Sequence, residues 1–360
     1  MQATVSAIAR RAHMTGAMLR PDLLLRPTRA GLYCPPGDFY IDPVREAVER
    51  AVITHGHADH ARAGHSHVLA TPQTLKIMAA RYGAGFAARQ QALDYGESVD
   101  INGVSVSFAP AGHILGSAQV IVDYRGLRMV ATGDYKRRRD PTCAPFEVVP
   151  GVHVFISEAT FALPVFRHPG TAGETGKLLA SLEAQPARTH LVGAYALGKA
   201  QRVIAHLREA GYDEPIFIHG AMKALCELYE EEEGIALGPL EPATLEKGRR
   251  AGSERFRGRI VIGPPSSLAD KWGRRFPDPL PAFASGWMSV RQRARQRGVE
   301  LPLIISDHAD WDELTETVRE VDPEELWITY GREDALVRWA ELEGRRARPL
   351  HLVGYAEEGD

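Results

Sequence analysis

The sequence predicts a mixed α/β protein, and a change of pattern along the chain carries that prediction. Short apolar runs typical of strands recur through the first half, with Gly and Asp between them. After about Phe166, helical segments alternate with β-like runs, as in βα units. The 360 residues exceed an ordinary single domain and suggest roughly two structural units.

One helix interrupts the strands of the first half. Thr71 is placed to cap it, Pro72 occupies its first turn, and Gly83 ends it. The clearest strands of this half are predicted at 68–70, 104–109, 118–124, 128–132 and 152–157.

In the second half of the chain, segments with helical periodicity alternate with short runs typical of strands. Helices are predicted at 198–210, 221–233 and 311–321. Strands are predicted at 190–192, 216–219, 259–262, 303–306 and 326–330.

The composition favours a cytoplasmic protein without a membrane segment. No run approaches the roughly 20 apolar residues that span a bilayer, and residues 1–20 contain no apolar core of a secretory signal. The three cysteines, Cys34, Cys143 and Cys226, are far apart and are expected to be reduced structural thiols. Residues 1–20 are expected to be a loosely ordered extension.

The net charge of −3 conceals an uneven distribution. Residues 247–297 contain 13 Lys and Arg against 3 Asp and Glu, whereas 306–343 contain 3 Arg against 13 Asp and Glu. A basic segment in an acidic protein suggests a local track for a polyanion, and a solvated charged face is the alternative. The basic block, residues 247–297, includes Arg249, Arg250, Arg255, Arg257, Arg259, Lys271, Arg274, Arg275, Arg291, Arg293, Arg295 and Arg297.

The most informative run is His55-Gly-His57-Ala-Asp59-His60, which follows a short apolar strand. Two histidines at i and i+2 on an extended loop can reach one metal ion from the same side. The Asp and His that follow point toward a second position. Imidazole and carboxylate together suit zinc and neighbouring divalent metals, so the run predicts a metal site.

Four further polar residues follow or end apolar strands: Asp42, His113, Asp134 and Glu158. Taken singly, Asp134 would be a turn residue and His113 a loop histidine. Together with the histidine run, they supply enough ligands for two metal ions roughly 3.5–4 Å apart.

This ordered set resembles the motif series of the metallo-β-lactamase superfamily. Glu158 and Ser306-Asp-His308-Ala-Asp310 look like the two further motifs of its β-CASP nuclease branch, and residues 193–202 resemble a signature of the β-CASP insertion. Residues 31–42, 285–289 and 305–311 are similar to the bacterial DNA-ligase-associated exonucleases.

The resemblance implies a fold and a domain division. The fold would be an αββα sandwich interrupted by a β-CASP cap, with the active site in the cleft between them. The expected division is an extension at 1–20, the sandwich at 21–165, the cap at 166–299 and the rest of the sandwich at 300–360.

The resemblance also implies roles. His55, His57 and His113 would hold a first metal, Asp59 and His60 a second, and Asp134 would bridge. Asp42 would orient the metal-binding loop. Glu158 would orient His308, the general acid. Zinc would be tightly bound at one site and weaker at the second, with manganese as a possible activator. Asp59, His308, Glu158 and Asp42 are the expected catalytic set.

One departure concerns the substrate. RNA-processing β-CASP nucleases carry a further metal-binding histidine where this chain has Tyr330, and the DNA-directed ones lack it. The resemblance therefore implies a metal-dependent DNA exonuclease, with a role in repair alongside a DNA ligase and helicase. The alternatives are an RNA-processing ribonuclease, a small-molecule hydrolase and a non-catalytic scaffold.

The contacts with DNA, single-stranded or with a free end, are expected from the basic block and its neighbours. Trp272, Trp287 and Tyr195 could stack bases, although packing is the favoured interpretation for isolated aromatic residues. The expected nucleic-acid contacts are Lys199, Ser266, Ser267, Lys271, Arg291, Arg293, Arg295 and Arg297.

Overall fold

The computed structural model describes residues 20–44, 47–244 and 254–352, and their strands form three sheets. Nearly all of the predicted extension at 1–20 lies outside the described residues. So do Lys247, Arg249 and Arg250 of the basic block.

Six short strands form the first sheet, in their order along the chain, after a single-turn helix α1 (Pro21–Leu24). They are β1 (Arg26–Pro27), β2 (Leu32–Cys34), β3 (Phe39–Ile41), β4 (Arg50–Val52), β5 (His67–Ala70) and β6 (Arg89–Ala92). The first three pair antiparallel, and β3 to β6 pair parallel.

Seven strands form the second sheet, and two of them come from the end of the chain. They are β7 (Ser98–Ile101), β8 (Val104–Pro110), β9 (Ala118–Tyr124), β10 (Leu127–Ala131), β11 (Val154–Ala159), β18 (Glu325–Gly331) and β19 (Arg346–Pro349). The order is β19-β18-β11-β10-β9-β8-β7. β18 pairs parallel to β11, so the chain returns to this sheet after the intervening segment.

The two sheets pack face to face around one apolar core. Leu32, Phe39 and Leu69 of the first sheet share it with Val120 and Met129 of the second. The outer face of the first sheet is covered by α2 (Pro72–Tyr82), and that of the second by α8 (Trp311–Val321) and α9 (Glu333–Leu342). The result is an αββα sandwich.

The third sheet is parallel throughout and belongs to the segment inserted between β11 and β18. Its strands are β12 (Thr189–Gly193), β13 (Ile216–Ile218), β14 (Leu240–Pro242), β15 (Ile260–Gly263), β16 (Pro279–Ala284) and β17 (Leu301–Leu303). Their order in the sheet is β14-β13-β15-β12-β16-β17.

Helices cover this third sheet and complete the insertion. They are α3 (Thr171–Ala184), α4 (Lys199–Glu209), α5 (Lys223–Glu227), α6 (Pro265–Leu268) and α7 (Arg291–Gln296). One apolar core joins α3 and α4 to the sheet and also includes Ile77 and Ile114 of the sandwich. A π-helical turn, Leu228–Glu232, extends α5.

The predicted α/β fold class, a sandwich with an inserted α/β unit, is confirmed. The predicted helix at 72–82 is also confirmed: Thr71 accepts a hydrogen bond from the backbone N–H of Thr74, and Gly83 ends it. The domain boundaries stay a prediction. β17, at 301–303, pairs in the third sheet although it follows residue 299.

Two predicted elements differ from the structure. The strand predicted at 303–306 ends at Leu303, because side chains from other elements bind the backbone beyond it: Glu174 accepts from the N–H of Ile304 at 2.9 Å. The helix predicted at 221–233 is divided into a 3₁₀ turn, α5 and the π-helical turn.

Within 20–44, 47–244 and 254–352, no helix is long and apolar enough to cross a membrane.

Candidate metal centre

The predicted ligands meet where strands of both sandwich sheets end. Asp42 follows β3, the histidine run follows β4, His113 follows β8, Asp134 follows β10, and Glu158 lies near the end of β11. Loops at strand ends carry side chains that a rigid sheet then positions.

The turn before Asp134 requires a glycine. Gly133 has a φ of +56°, and a Cβ there would lie 2.7 Å from side-chain atoms of Thr54. Glycine adopts this conformation without steric conflict, so Asp134 can approach the loop that carries the histidines.

Four of the predicted residues form one compact ligand group. The donor atoms of His55, His57, His113 and Asp134 all lie within 4.8 Å of one another, and the four residues are buried. His55 Nε2 lies 3.5 Å from Asp134 Oδ2, and His113 Nε2 lies 3.8 Å from it. Three imidazoles and one carboxylate are a donor set that zinc-class metals accept.

Hydrogen bonds at the opposite ring nitrogens assign the tautomers of two of these histidines. Backbone carbonyls only accept, so His57 donates from Nε2 to Leu197 at 3.3 Å and His113 donates from Nδ1 to Asp307 at 2.9 Å. The lone pairs then lie on His57 Nδ1 and His113 Nε2, which are 3.0 Å apart. Two facing lone pairs repel unless a cation lies between them.

The third histidine follows the same rule. Thr54 Oγ1 donates to Asp42 Oδ2 at 2.6 Å and therefore accepts from His55 Nδ1 at 3.0 Å. His55 Nε2 carries the lone pair, is fully buried and has no hydrogen-bond partner among the described residues. A buried acceptor without a partner is unfavourable, so the residues present fit a metal ion.

Electrostatics keep two of these imidazoles neutral. Burial, aided by the neighbouring His60 and His113, holds the pKa of His55 well below its usual range. Burial, aided by His308 and His57, lowers the pKa of His113 to about 3. Neutral imidazole is the form that binds metals.

A second position lies beside the first. His60 Nε2 is 3.4 Å from Asp134 Oδ2 and 3.8 Å from Asp59 Oδ2. His60 Nδ1 donates to Asp42 Oδ2 at 2.8 Å, which turns Nε2 toward the two carboxylates. Although burial opposes it, the charges of Asp134 and Asp59 raise the pKa of His60 well above its usual value.

Asp42 supports the centre through hydrogen bonds with Thr54 and His60. It accepts from the Thr54 backbone at 2.8 Å, from the Thr54 hydroxyl and from His60. Its backbone has a φ of +45°, a conformation that Asp tolerates better than most residues.

His308 and Glu158 form a buried pair at the edge of the centre. His308 Nδ1 lies 3.0 Å from Glu158 Oε2, and Glu158 Oε1 accepts from the backbone N–H of Tyr135 at 2.7 Å. Burial raises the pKa of Glu158 although the adjacent His308 opposes the shift. His308 Nδ1 is 4.0 Å from Asp134 Oδ2, so the pair borders the candidate metal ligands.

A second buried ion pair supports this loop. Lys136 Nζ donates to Glu313 at 2.6 Å and to the carbonyl of His308 at 3.0 Å. Glu313 and Asp310 form a capping box at the start of α8. The helix that follows His308 is therefore fixed at its first turn.

Tyr330 lies against the second position, as its place in the sequence predicted. Its ring centroid is 5.2 Å from that of His60, edge to face. Its φ is +59°, an uncommon conformation for an aromatic residue. Gly331 follows with a φ of +130°, where a Cβ would lie 2.4 Å from the Ala159 carbonyl.

The predicted nucleic-acid contacts fall in three places. Lys199 is 3% exposed and pairs with Asp307, so it lies inside the protein beside the centre. Ser266 and Lys271 are exposed after β15, whereas Ser267 is buried and donates to the Pro264 carbonyl at 2.7 Å. The four arginines at 291–297 occupy α7 and its C-cap.

Trp287 and Trp272, two of the candidate stacking residues, pack against other aromatic rings. Trp287 packs 4.7 Å from Phe161, whose ring lies 6.2 Å from His308, and Arg293 stacks on Trp287 at 4.0 Å. Trp272 packs against Phe276 at 4.8 Å, away from these contacts. Trp287 is therefore better placed than Trp272 to stack on a base near His308.

Some supporting residues were not identified from sequence. Thr54, Asp307, Lys136 and Arg202 hold ligands or loops in place. Asp307 and Arg202 lie within stretches that carry the resemblance, 306–310 and 193–202, whereas Thr54 is marked by its place directly before His55.

No family model matches the chain. Over 324 residues it is 29% identical to a probable DNA ligase of Opitutus terrae, which covers 86% of this chain and 30% of that protein. Over 148 residues it is 34% identical to endoribonuclease YSH1 of Saccharomyces cerevisiae, covering 38% of this chain and 19% of that protein. The chain therefore spans less than a third of the length of either relative.

Two further comparisons agree with these. Over 128 residues the chain is 32% identical to cleavage and polyadenylation specificity factor subunit 3-I of Arabidopsis thaliana, covering 35% of this chain and 18% of that protein. A crystal structure of a protein of unknown function from Enterococcus faecalis V583 superposes with a TM-score of 0.52 at 13% identity, over 78% of this chain and 75% of that one. The chain thus has sequence relatives with nuclease and ligase names and a structural relative that supports the fold.

Proposed function

We propose that the chain is a metal-dependent nuclease of the β-CASP branch of the metallo-β-lactamase superfamily, acting on DNA as an exonuclease in repair. One observation carries the proposal: a buried group of three histidines and an aspartate lies beside a buried His308–Glu158 pair. Metal ligands next to an oriented proton donor suit hydrolysis of phosphodiesters.

The residues divide the chemistry between them. His55, His57, His113 and Asp134 would hold the first metal, preferably zinc, and Asp59 and His60 would hold a second with Asp134 shared. When bound, a divalent metal supplies Lewis acidity, which lowers the pKa of water and neutralises phosphoryl charge.

His308 supplies the proton for the leaving oxygen. Its Nδ1–H donates to Glu158, which fixes the ring and leaves Nε2 to carry the transferable proton. Glu158 is in turn held by the Tyr135 backbone. The deep burial of Glu158 preserves this orientation by excluding water.

DNA is favoured over RNA by Tyr330 and by one relative. Tyr330 packs on His60 where RNA-processing relatives of this fold are expected to place a histidine. The Opitutus terrae protein, matched over 86% of this chain, is named a probable DNA ligase, which supports a link to DNA end repair. An RNA substrate is the second candidate, favoured by the match to endoribonuclease YSH1.

The test compares one strand sequence as DNA and as RNA, labelled at either end, with Mn²⁺ or Zn²⁺ added. We expect labelled mononucleotides from DNA, and a rate about 10²- to 10⁴-fold lower for His308→Ala because the proton donor is removed. His67→Ala is the control. His67 is the first residue of β5, whereas the histidine run follows the other end of the neighbouring parallel strand β4.

Three other outcomes would contradict parts of the proposal. RNA cleaved as fast as DNA would contradict the DNA assignment, and internal fragments would contradict exonuclease action. Full activity of His308→Ala would remove the proton donor from the mechanism.

A further inference from the structure

We infer that Lys199 and Arg202, on the first turn of α4 in the insertion, are positioning residues that lock His113 and the segment before His308 into their working geometry. This inference deepens the proposed function and rests on it. Lys199 and Arg202 are three residues apart, so both project from the same face of the helix.

Both cations are buried to an unusual degree. Lys199 is 3% exposed and Arg202 is 1% exposed. A buried charge is strongly unfavourable unless it is paired with an opposite charge and hydrogen-bonded. The contacts of these two side chains therefore indicate what they do.

Their first set of contacts is with the backbone after β17. Lys199 Nζ donates to the carbonyl of Ile305 at 3.3 Å and pairs with the carboxylate of Asp307. Arg202 donates to the carbonyl of Ser306 at 3.0 Å. Strand pairing has ended at Leu303, so these side chains take the place of a neighbouring strand.

The second set of contacts reaches the metal ligands. Arg202 also donates to the carbonyl of His113 at 2.9 Å. The imidazole of His113 donates to the carbonyl of Asp307 at 2.9 Å, which leaves Nε2 as the ligating atom. One guanidinium thus joins the backbone of a metal ligand to the segment that carries the proton donor.

The geometry requires arginine at position 202. Its Nε lies 2.6 Å from Asp140 Oδ2 while its two terminal nitrogens reach the two carbonyls. Asp140 is fixed by the backbone and hydroxyl of Thr142 at 2.8 and 2.7 Å. A planar guanidinium can pair with one carboxylate and donate to two carbonyls at once, whereas a lysine ammonium is a single point of charge.

The same helix offers a matched control. Arg208 also binds backbone carbonyls, those of Leu237, Tyr212, Glu214 and Pro239. All of these belong to the insertion, so Arg208 stabilises that unit without contacting the metal ligands. If Arg202 were only structural, replacing either arginine by lysine would have the same kind of effect.

The experiment compares Arg202→Lys with Arg208→Lys. On metal-free protein, we expect Arg202→Lys to increase hydrogen exchange at 303–309 and 111–116, and Arg208→Lys to leave both segments protected. In a competition assay with a zinc chelator, Arg202→Lys should bind zinc about 10- to 100-fold more weakly. Its kcat on DNA should fall by a similar factor, with KM little changed, because the substrate track is intact.

Hydrogen exchange and zinc affinity separate this inference from the proposed function, because neither measurement requires nuclease activity. If wild-type protein cleaves neither DNA nor RNA, the nuclease proposal fails, while exchange and zinc affinity still test the positioning role. Unchanged exchange and zinc affinity in Arg202→Lys would overturn the inference. So would equal changes at the same segments in Arg208→Lys.

Discussion

At the scale of single residues, the hydrogen bond made by one ring nitrogen of a histidine determines whether the other ring nitrogen has a lone pair for a metal. Leu197 and Asp307 offer carbonyls, and Thr54 offers a hydroxyl whose proton is already given to Asp42. Each partner places the imidazole proton away from the centre of the cluster. The cluster is therefore prepared for a cation by hydrogen bonds that involve none of the ligating atoms.

Asp42 provides a test at this scale. Asp42→Asn replaces an acceptor by an amide that can donate toward His60 Nδ1, which disfavours the tautomer with the lone pair on Nε2. We expect divalent metal to bind about 10- to 100-fold more weakly, as measured by chelator competition. Asp123→Asn is the control, because Asp123 pairs with Arg128 away from the centre. Equal affinities in Asp42→Asn and wild type would contradict this role.

The sequence revealed ligands better than it revealed their supports. His55, His57, His113 and Asp134 could be proposed as ligands because together they follow the order of a known motif series, and the structure brings them together. Arg202 could not be identified, because its role depends on which carbonyls face it, and those belong to residues 89 and 104 positions away in the chain.

At the scale of elements, the arginine-rich segment shows how secondary structure changes a charge pattern. Arginines at every second residue would share one face of a strand, but 291–296 form a helix. Arg291, Arg295 and Arg297 are exposed and Arg293 is half-buried. Arg291 and Arg295 lie about one turn apart, while Arg293 lies over the ring of Trp287 and Arg297 over that of Phe283. The predicted track of four arginines is therefore two pairs with different surroundings.

This division predicts different effects for the two pairs. Replacing Arg291 and Arg295 by Ala should raise KM for long DNA and flatten its salt dependence, by about 0.7 in the log–log slope for each phosphate that the protein no longer neutralises. Replacing Arg293 and Arg297 should mainly lower thermal stability, since each cation–π interaction contributes about 0.5–1 kcal/mol. An unchanged salt slope for the first pair would make it an ordinary solvated surface.

Elements with a clear local signal were predicted well. The helix at 311–321 has a capping box and a strong apolar stripe, and its bounds agree with the structure. The strand predicted at 303–306 was placed wrongly beyond Leu303, because Lys199 and Arg202 bind the carbonyls that a neighbouring strand would otherwise bind. Local periodicity carries no information about such distant partners.

At the scale of the whole molecule, the centre forms where three sheets converge. Ligands follow strands of both sandwich sheets, while the turn before α4 lies against His57 through Leu197. Gln73 and Lys76 of α2 bind Glu233 of the insertion at 3.2 and 2.8 Å, so the two parts also meet at α2. The insertion therefore forms one wall of the site.

This convergence could not be predicted from pattern alone. Pairing of β18 with β11 joins residues on either side of the insertion, and only the resemblance to a known superfamily suggested that the chain returns to the first unit. The apolar core shared by Ile114 and α4 was not anticipated at all.

We expect the buried histidine cluster to be a metal centre that cleaves nucleic acid. The most direct measurement strips the protein with a chelator and follows cleavage of end-labelled DNA as zinc or manganese is returned in known ratios to protein. We predict no cleavage without metal and cleavage that rises with metal bound, in two stages if the position beside Tyr330 is weaker. Cleavage by metal-free protein, or none by fully loaded protein on either DNA or RNA, would contradict the account.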